Sequence, residues 1–408
     1  MAQEVFRLNL LPEEAFGRRL QYAFLSMAYE GSADARVRVY YDRGYADFDS
    51  VEGYVRVVRE ALSRIVSSLK RENRSGCPVP PVGGVDCCML DRGPSLYTSG
   101  ASDLKLLREA GFTRCPYITA KGEESVSWVH AAVSYALRVM EEGPLGGRAE
   151  HGIPGLAKVT VFSSVRGSGV RREAKNIRVD LDALGTVLLG GALAYLGSHR
   201  MSESGGDRLE FLLVPDRPGF EYKVFRDIAS ADGLGGNLAA RAAMLVSGLG
   251  VGVEQALSVS LAILLNKHRD MLRGVGVEDR VVGSARLYTV SSGQRPMLRG
   301  GLPLSTVVYK AYSWSLLGRL AEAASYARRI RGGDKARAFS SALAECMNDM
   351  FLQASAPCHT SFLADCARLL SQVSHDEGLP SEARERAAGL LEAVSRDYES
   401  LTGGCGVA

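Results

Sequence analysis

The sequence predicts an α+β protein, in which a mixed α/β amino-terminal region is followed by a mainly helical carboxy-terminal bundle. Three observations predict this class. The amino-terminal part combines strand-like alternation with helical periodicity, the carboxy-terminal part carries five helical patterns joined by mostly short polar connections, and no βαβ pattern repeats. Single cores stop growing near ~250 residues. A chain of 408 residues is therefore expected to form more than one domain.

We divide the chain into three predicted regions. Residues 1–150 form a mixed α/β domain with a loop rich in Cys, Pro and Gly at 72–116. Residues 151–252 form a region of strand and helix that contains a basic loop at 165–178. Residues 253–408 form the helical bundle.

Periodicity justifies the elements of the first half. The stretch "RVRVYYD" (36–42) alternates like a half-buried strand, and "YVRVVREALSRIVSSLK" (54–70) repeats apolar residues at helical spacing. A second amphipathic helix is predicted at "SVSWVHAAVSYALRVM" (125–140). The stretch "LAKVTVFSS" (156–164) indicates a strand that leads into the basic loop.

The centre of the chain contains an apolar helix and a predicted hairpin. Asp180 or Asp182 can cap the helix that follows them, because a side-chain carboxylate satisfies free amide groups at a helix start. The stretch "RLEFLLVPDRPGFEYKVFRD" (208–227) is interpreted as two short strands turned at "PDRPG". The glycines of "DGLGGNLAAR" (232–241) could cradle a phosphate, but no Lys-Ser or Lys-Thr pair follows, so a structural turn is favoured.

Helical patterns dominate after residue 253. The last of them starts at "LPSE", a typical helix start. The five predicted helices cover residues 254–272, 304–330, 338–353, 361–373 and 381–401.

Composition indicates an ordinary globular chain with 46% hydrophobic and 23% charged residues. The longest apolar run (183–197) is shorter than the ~20 residues that cross a bilayer, and no leader-like pattern opens the sequence. We therefore expect a cytoplasmic protein. Forty arginines against nine lysines, with six asparagines and six glutamines, suggest a thermophilic source, although a GC-rich genome gives the same arginine excess.

Eight cysteines fall into two groups and include no C-x-x-C pair. Reduced thiols are the expectation for a cytoplasmic chain outside the hyperthermophiles. Cys77, Cys87, Cys88 and Cys115 lie in a loop-rich region where zinc ligands could sit, but their spacing matches no familiar zinc pattern. We favour cysteines without a metal, and predict neither a metal site nor a cofactor.

Positive charge is concentrated in two places. The stretch "VRGSGVRREAKNIRVD" (165–180) has five bases, with one acid before its final Asp180. Residues 267–337 have fourteen bases against five acids, a net charge of +9 in a chain whose total is +3. Residues 338–408 have a net charge of −6. Arginine-rich stretches with interleaved glycines are typical of surfaces that bind phosphate groups.

Catalytic motifs are not recognisable. "HRD" at 268–270 lacks the other kinase motifs, and "HDE" at 375–377 lacks the partners that a metal phosphohydrolase or a zinc deaminase needs. No H-E-x-x-H or G-x-S-x-G spacing occurs. The sequence therefore predicts a protein that is not an enzyme.

Two parts of the chain resemble a known family. "NIRVDLDALGTVLLGGALAYLGSHRMSESGGDRLEFLLVP" (176–215) has a helix with a glycine-rich apolar face and a short hairpin turning after "LLVPD". The stretches at 254–272 and 304–330 form a helical part with an "LNK" element. This pattern is similar to the large subunit of archaeal type I-A CRISPR interference (Cascade-like) complexes, the Aeropyrum-type family.

The resemblance implies a non-catalytic subunit. Such a subunit lies beside the guide RNA, helps recognise the protospacer-adjacent motif in target DNA, and stabilises the opened strands while other subunits cut. The implied partners are guide RNA, target DNA and other subunits of the complex, with no membrane and no small-molecule substrate. The acidic carboxy-terminal helices would face solvent or another subunit.

Basic side chains from the two positive regions are the candidate nucleic-acid-binding residues. They are Arg166, Arg171, Arg172, Lys175, Arg178, Lys267, Arg269, Arg273, Arg295 and Arg299.

Two alternatives remain open at the level of sequence. The chain could be a metal-dependent nuclease or a nucleotide-processing enzyme, with Asp180, Asp182, Asp207 and Glu210 converging on Mg²⁺. It could also be a scaffold subunit that binds only proteins. A charged stretch on its own is most often a solvated face, so the basic loop also has an interpretation without a ligand.

Overall fold

A computed structural model describes most of the chain. It covers residues 5–31, 35–69, 80–95, 102–119, 121–148, 150–158, 177–200, 208–231, 234–249, 256, 257, 259–261, 263, 285–291, 297–303, 316–330, 334–355 and 361–398. The fold is α+β with a helical carboxy-terminal region, which confirms the predicted class. The chain forms two compact units. The first comprises Met1–Ser198, Arg208–Gly233 and Ser284–Gly301, and the second comprises the remaining segments.

The described strands form three sheets, with orders β1-β3-β2, β4-β5 and β6-β7-β8-β9. The strands are β1 (Phe6–Asn9), β2 (Val37–Tyr40), β3 (Tyr45–Phe48), β4 (Tyr117–Ile118), β5 (Glu124–Ser125), β6 (Tyr195–Arg200), β7 (Arg208–Pro215), β8 (Ala285–Ser291) and β9 (Met297–Pro303). The first unit also contains the helices α1 (Phe16–Leu25), α2 (Val51–Ser68), α3 (Ser102–Glu109), α4 (Trp128–Glu142), α5 (Leu181–Ala194) and α6 (Phe220–Ala231).

The antiparallel sheet β1-β3-β2 has one buried face and one open face. Leu8, Val37, Ala46 and Phe48 point into the core, because side chains alternate along each strand. Helix α2 covers this buried face, and the ring of Tyr54 packs edge-on against Phe48 with ring centroids 5.0 Å apart. The predicted strand at 36–42 is confirmed as β2.

Helix α2 forms where the apolar period predicts it. The hydroxyl of Ser50 accepts a hydrogen bond from the Gly53 amide at 2.9 Å, which caps the helix start. Its buried residues recur every three to four positions: Tyr54, Val57, Val58, Ala61, Leu62 and Ile65.

Helix α5 is buried on all sides, and every residue from Asp182 to Ala194 lies in the core of the first unit. Helices α1 and α4 pack against it. Gly190 permits the closest approach, since a Cβ atom there would lie 1.7 Å from the carbonyl oxygen of Leu20. Gly185 and Gly191 lie in the same way against the rings of Tyr135 and Trp128.

The predicted hairpin at 208–227 is only half correct. Strand β7 forms, but its antiparallel partner is β8, paired from Leu209 with Ser291 to Pro215 with Ala285. The second predicted strand is helix α6. Tyr222, Phe225 and Arg226 are all buried on one face of it, which is a helical rather than an alternating spacing. Strands β8 and β9 were not predicted from the sequence.

Two further expectations for this part of the chain are corrected. The start of the predicted strand at 156–164 is a 3-10 turn, Gly155–Lys158, and the rest of that stretch lies outside the described residues. The glycines of "DGLGGNLAAR" do not form a turn from Leu234 onward, because helix α7 (Leu234–Leu249) already begins there.

The second unit is built from helices. They are α7 (Leu234–Leu249), α8 (Leu316–Arg329), α9 (Asp334–Ser355), α10 (Ser361–His375) and α11 (Ser381–Arg396). Helix α10 packs between α9 and α11, and α8 packs on both α7 and α11. Four of the five predicted carboxy-terminal helices are thereby confirmed where the structure describes them. Of the fifth, at 254–272, residues 256, 257, 259–261 and 263 are described and helical.

Disulfides replace the reduced thiols expected from the sequence. Cys87 bonds to Cys115 with the Cα atoms 5.4 Å apart, and Cys346 bonds to Cys366 between helices α9 and α10. Cys88 is also disulfide-bonded. A sulfur atom that is bonded to another sulfur is not available as a thiolate ligand, and Cys77 lies outside the described residues.

The described part of the chain contains no candidate membrane-spanning helix. No helix there is at once long enough and apolar enough to span a bilayer.

Candidate nucleic-acid interface

The two described segments that flank residues 159–176 are fixed to each other by backbone pairing. The amide of His151 donates to the carbonyl oxygen of Val179 at 3.1 Å, and the amide of Val179 donates to the carbonyl oxygen of His151 at 2.8 Å. The Arg178 guanidinium donates to the Glu150 carbonyl oxygen at 2.8 Å. We call residues 150–158 and 177–180 the loop stem. It brings both ends of the segment 159–176 to one place in the first unit.

A surface cavity of about 320 Å³ lies beside the loop stem. Its lining includes the bases Lys105, Lys158 and Arg178, and the acids Asp103, Glu109 and Glu150. Burial raises the pKa of Asp103, whose Oδ2 accepts a hydrogen bond from the Gly155 amide at 3.0 Å. With both charge signs present, the cavity does not define a ligand.

A second feature is the open face of the sheet β1-β3-β2. Its outward side chains are those that alternate with the buried ones: Arg7 and Asn9 on β1, Arg38 and Tyr40 on β2, and Tyr45 and Asp47 on β3. Arg43 lies in the β2–β3 turn, where Gly44 takes a positive φ of 68°. We call Arg7, Arg38, Tyr40, Arg43 and Tyr45 the arginine-tyrosine face.

The side chains of this face form a row of planar groups. The guanidinium of Arg7 lies 4.0 Å from the ring centroid of Tyr45, and the rings of Tyr45 and Tyr40 are 4.8 Å apart. The guanidinium of Arg43 lies 5.9 Å from the Tyr40 centroid. Arg7 is held in place by Asp47, which accepts from its Nε at 2.8 Å and its Nη2 at 3.1 Å.

One hydrogen bond joins the sheet to the loop stem. Asn9, which ends β1 next to the arginine-tyrosine face, donates from Nδ2 to Asp180 Oδ2 at 2.8 Å. Asp180 Oδ1 accepts from the Ala183 amide at 2.7 Å and so caps α5, as the sequence predicts. The face and the exit of the basic loop are therefore neighbours within the first unit.

Two of the ten predicted binding residues lie in the described part of the chain. Arg178 lies in the loop stem, and Arg299 lies on β9, although its side chain is outside the described set. The other predicted residues fall outside the described ranges: Arg166, Arg171, Arg172, Lys175, Lys267, Arg269, Arg273 and Arg295.

Several arginines of the basic region 267–337 are engaged in internal contacts. Arg286 Nε donates to Asp216 at 2.8 Å in the first unit. In the second unit Arg319 donates to the Gly389 carbonyl oxygen at 3.0 Å, and Arg329 lies 3.7 Å from Glu382. Helix α11 therefore packs one side on α8.

The carboxylates of the nuclease alternative are occupied by hydrogen bonds. Asp182 Oδ1 accepts from the Tyr135 hydroxyl at 2.8 Å and the Leu145 amide at 3.1 Å, and Oδ2 accepts from the Gly146 amide at 2.7 Å. Glu210 accepts from the amide and hydroxyl of Ser95. Asp207 lies outside the described ranges, and within those ranges no three His, Cys, Asp or Glu residues form a cluster suited to a metal.

The arginine-tyrosine face was missed by the sequence-based analysis, although its signal was present. The predicted strand "RVRVYYD" places Arg38 and Tyr40 on the face opposite Val37 and Val39. Arg7 and Tyr45 join them only through strand pairing across distant parts of the chain, which a pattern in one segment does not show.

Comparison with known proteins identifies no relative. No family model, no curated protein and no solved structure matches the chain.

Proposed function

We propose that this chain binds nucleic acid without cutting it, contacting phosphate groups through the arginines and the lysine of the basic loop. Within that role we propose the large subunit of a type I-A CRISPR interference complex, acting in the cytoplasm. Its partners would be guide RNA, target DNA and the other subunits. It would aid protospacer-adjacent-motif recognition and stabilise the opened strands.

The loop stem is the observation that carries the proposal. The pairing of His151 with Val179 joins the two described segments that flank residues 159–176, and these residues include most of the basic loop. A polyanionic backbone is the ligand that a group of arginines binds best, because the planar guanidinium matches phosphate geometry.

The state of the carboxylates supports a binding role over the nuclease alternative. Asp180 and Asp182 each use both oxygens for hydrogen bonds inside the protein. A catalytic Mg²⁺ would have to replace those bonds, and the first turn of α5 and the loop at 145–146 would lose their anchors.

The proposal predicts a change in salt dependence. Each phosphate contact contributes a slope of about 0.9 to the fall of log affinity with log salt for duplex DNA. Replacing Arg171, Arg172 and Lys175 with alanine should weaken duplex binding similarly across sequences and make the slope shallower by roughly two to three. Fluorescence anisotropy between about 50 and 200 mM salt measures both.

A charge-matched control comes from exposed arginines elsewhere. The triple variant Arg56→Ala, Arg59→Ala, Arg368→Ala removes the same charge from helices α2 and α10 and should leave the slope nearly unchanged. Equal effects of the two triple variants would show a general charge effect. A wild-type protein that binds neither DNA nor RNA at low salt would support the protein-only scaffold.

Cleavage assays separate the nuclease alternative. With Mg²⁺ or Mn²⁺ present, the chain should not cut DNA or RNA above background, and cleavage lost in Asp182→Ala would overturn the proposal.

The CRISPR assignment has its own test, which is whether the chain copurifies with guide RNA and interference subunits encoded beside it. Binding without such partners would retain the general function and remove the specific one.

A further inference from the structure

We propose that the arginine-tyrosine face is a binding platform for single-stranded nucleic acid, with bases stacked on its planar groups. The inference rests on the proposed nucleic-acid binding and adds a second site with its own substrate class. None of the predicted binding residues belongs to this face.

Geometry favours stacking as the mode of contact. Tyr40 and Tyr45 are directly paired across β2 and β3, and both rings are half-buried, so each has a fixed position and an accessible part. Arg7 and Arg43 extend the row at its two ends, with side chains 58% and 65% exposed. Bases stack on aromatic rings and on guanidinium planes alike.

The platform has a rigid support. Behind it Phe48 packs against Tyr54, and Tyr54 and Tyr135 join their hydroxyl groups in the core. Asp47 fixes the guanidinium of Arg7 through two bonds. A surface that is already ordered loses little conformational entropy when a ligand binds.

Charge on the face fits a phosphate backbone. Among the described residues no ion pair involves Arg38, which is exposed on the central part of β2. Arg43 lies 3.9 Å from Asp42, and both side chains are largely exposed, so that pair is weak. Besides the three arginines and two tyrosines, the face carries the acid Asp47, which pairs with Arg7, so charged and planar polar groups dominate it.

The ligand is single-stranded rather than duplex nucleic acid, because only a single strand exposes the faces of its bases. In a duplex the base faces are stacked inside the helix and cannot reach a protein ring, whereas a single strand exposes them. The neighbouring bond between Asn9 and Asp180 places the exit of the basic loop at one end of the face.

Removal of the rings tests the platform directly. The double variant Tyr40→Leu, Tyr45→Leu removes aromatic stacking and keeps an apolar strand residue, while Tyr40→Phe, Tyr45→Phe is the matched control that keeps the rings. The probes are a poly-dT oligonucleotide, an abasic oligonucleotide of the same length, and a duplex. The wild type should bind poly-dT at least about tenfold more tightly than the abasic strand.

The leucine variant should lose about tenfold or more in affinity for poly-dT and keep its affinity for the abasic strand and the duplex. The phenylalanine variant should behave like the wild type. Unchanged poly-dT affinity in the leucine variant, or equal wild-type affinity for poly-dT and the abasic strand, overturns the platform. If duplex binding persists in that case, the proposed function stands and only this inference fails.

A second measurement covers the case in which the leucine variant does not fold. Photo-crosslinking of the wild type to an oligonucleotide with 5-iodouracil, followed by mass spectrometry, should label Tyr40 or Tyr45. Labels confined to other tyrosines contradict the proposal. The proposal would also be contradicted if an acidic protein bound at this face and no oligonucleotide competed with it.

Discussion

Asp182 shows how one residue joins three distant parts of the first unit. It lies in the first turn of α5 and accepts hydrogen bonds from the Tyr135 hydroxyl on α4 and from the amides of Leu145 and Gly146. Burial raises the pKa of Asp182, and the three hydrogen bonds oppose this effect only in part. A buried carboxylate that accepts from three donors fixes the positions of those donors, even though burying its charge costs solvation energy.

Replacing Asp182 with asparagine should destabilise the fold by about 1–3 kcal/mol, because an amide cannot accept from all three donors. The folded-state pKa of Asp182 lies above the unfolded value of about 3.9. The stability that the proton provides is therefore fully present below pH 3.9 and is lost as the pH rises through the raised pKa. Urea denaturation at several pH values should show the wild-type advantage over Asp182→Asn shrinking with rising pH, and growth of that advantage would contradict the assignment.

At this scale the sequence predicts local roles and misses long-range ones. The cap formed by Asp180 was predictable, because its partner Ala183 is three residues away. The bond from Asn9 to Asp180 and the contacts of Asp182 join segments more than thirty residues apart. Nothing in a local pattern specifies such pairings.

Among the elements, α5 places the strictest demand on side-chain size. Its contact with α1 depends on Gly190, where a Cβ atom would overlap the backbone oxygen of Leu20. Backbone atoms cannot rotate away as a side chain can. The two helices would have to separate to admit even a methyl group.

The variant Gly190→Ala should therefore lose at least about 3 kcal/mol of stability or fail to fold. Gly318 on α8 is the matched control, since it is exposed and a Cβ there would meet nothing within 4 Å. Gly318→Ala should stabilise its helix by about 0.5–1 kcal/mol. Thermal denaturation of both variants measures the contrast, and a neutral Gly190→Ala would show that α1 and α5 can move apart.

Helices with a clear apolar period, such as α2, α4 and α11, were predictable from the sequence. Strand identity was harder, and α6 was misread because a short run with Phe220, Tyr222 and Phe225 has both an alternating and a helical component. The partner of β7 follows some seventy residues later in the chain, which no turn signal announces.

On the scale of the whole molecule, each unit contains at least one disulfide between described cysteines. Cys87–Cys115 lies in the first unit and Cys346–Cys366 in the second. Closing loops of 28 and 20 residues stabilises a fold by about 3–4 kcal/mol in the chain-entropy description.

Loss of one bond should therefore act on one unit. The double variant Cys346→Ser, Cys366→Ser should reduce hydrogen-exchange protection in α8 to α11 and leave α1, α4 and α5 protected. The variant Cys87→Ser, Cys115→Ser should give the reverse pattern. Mass spectrometry of exchanged peptides measures both, and loss of protection throughout the chain in either variant would show that the units unfold together.

The α+β class was predictable from the sequence, but the boundaries of the two units were not. The units exchange chain segments at residues 198, 208, 233, 284 and 301, and these crossings carry no Pro or Gly signal distinct from ordinary turns.

The separation of β7 from β8 in the chain also determines how long β7 is without its partner during synthesis on the ribosome. At a translation rate of 5–20 residues per second, the roughly 70 residues between the two strands take about 3–14 seconds to emerge. During that interval β7, with Phe211, Leu212 and Leu213 destined for the core, has no β8 to cover its edge. Nascent chains of this protein should therefore recruit chaperones after β7 is exposed and release them once residue 291 has left the exit tunnel.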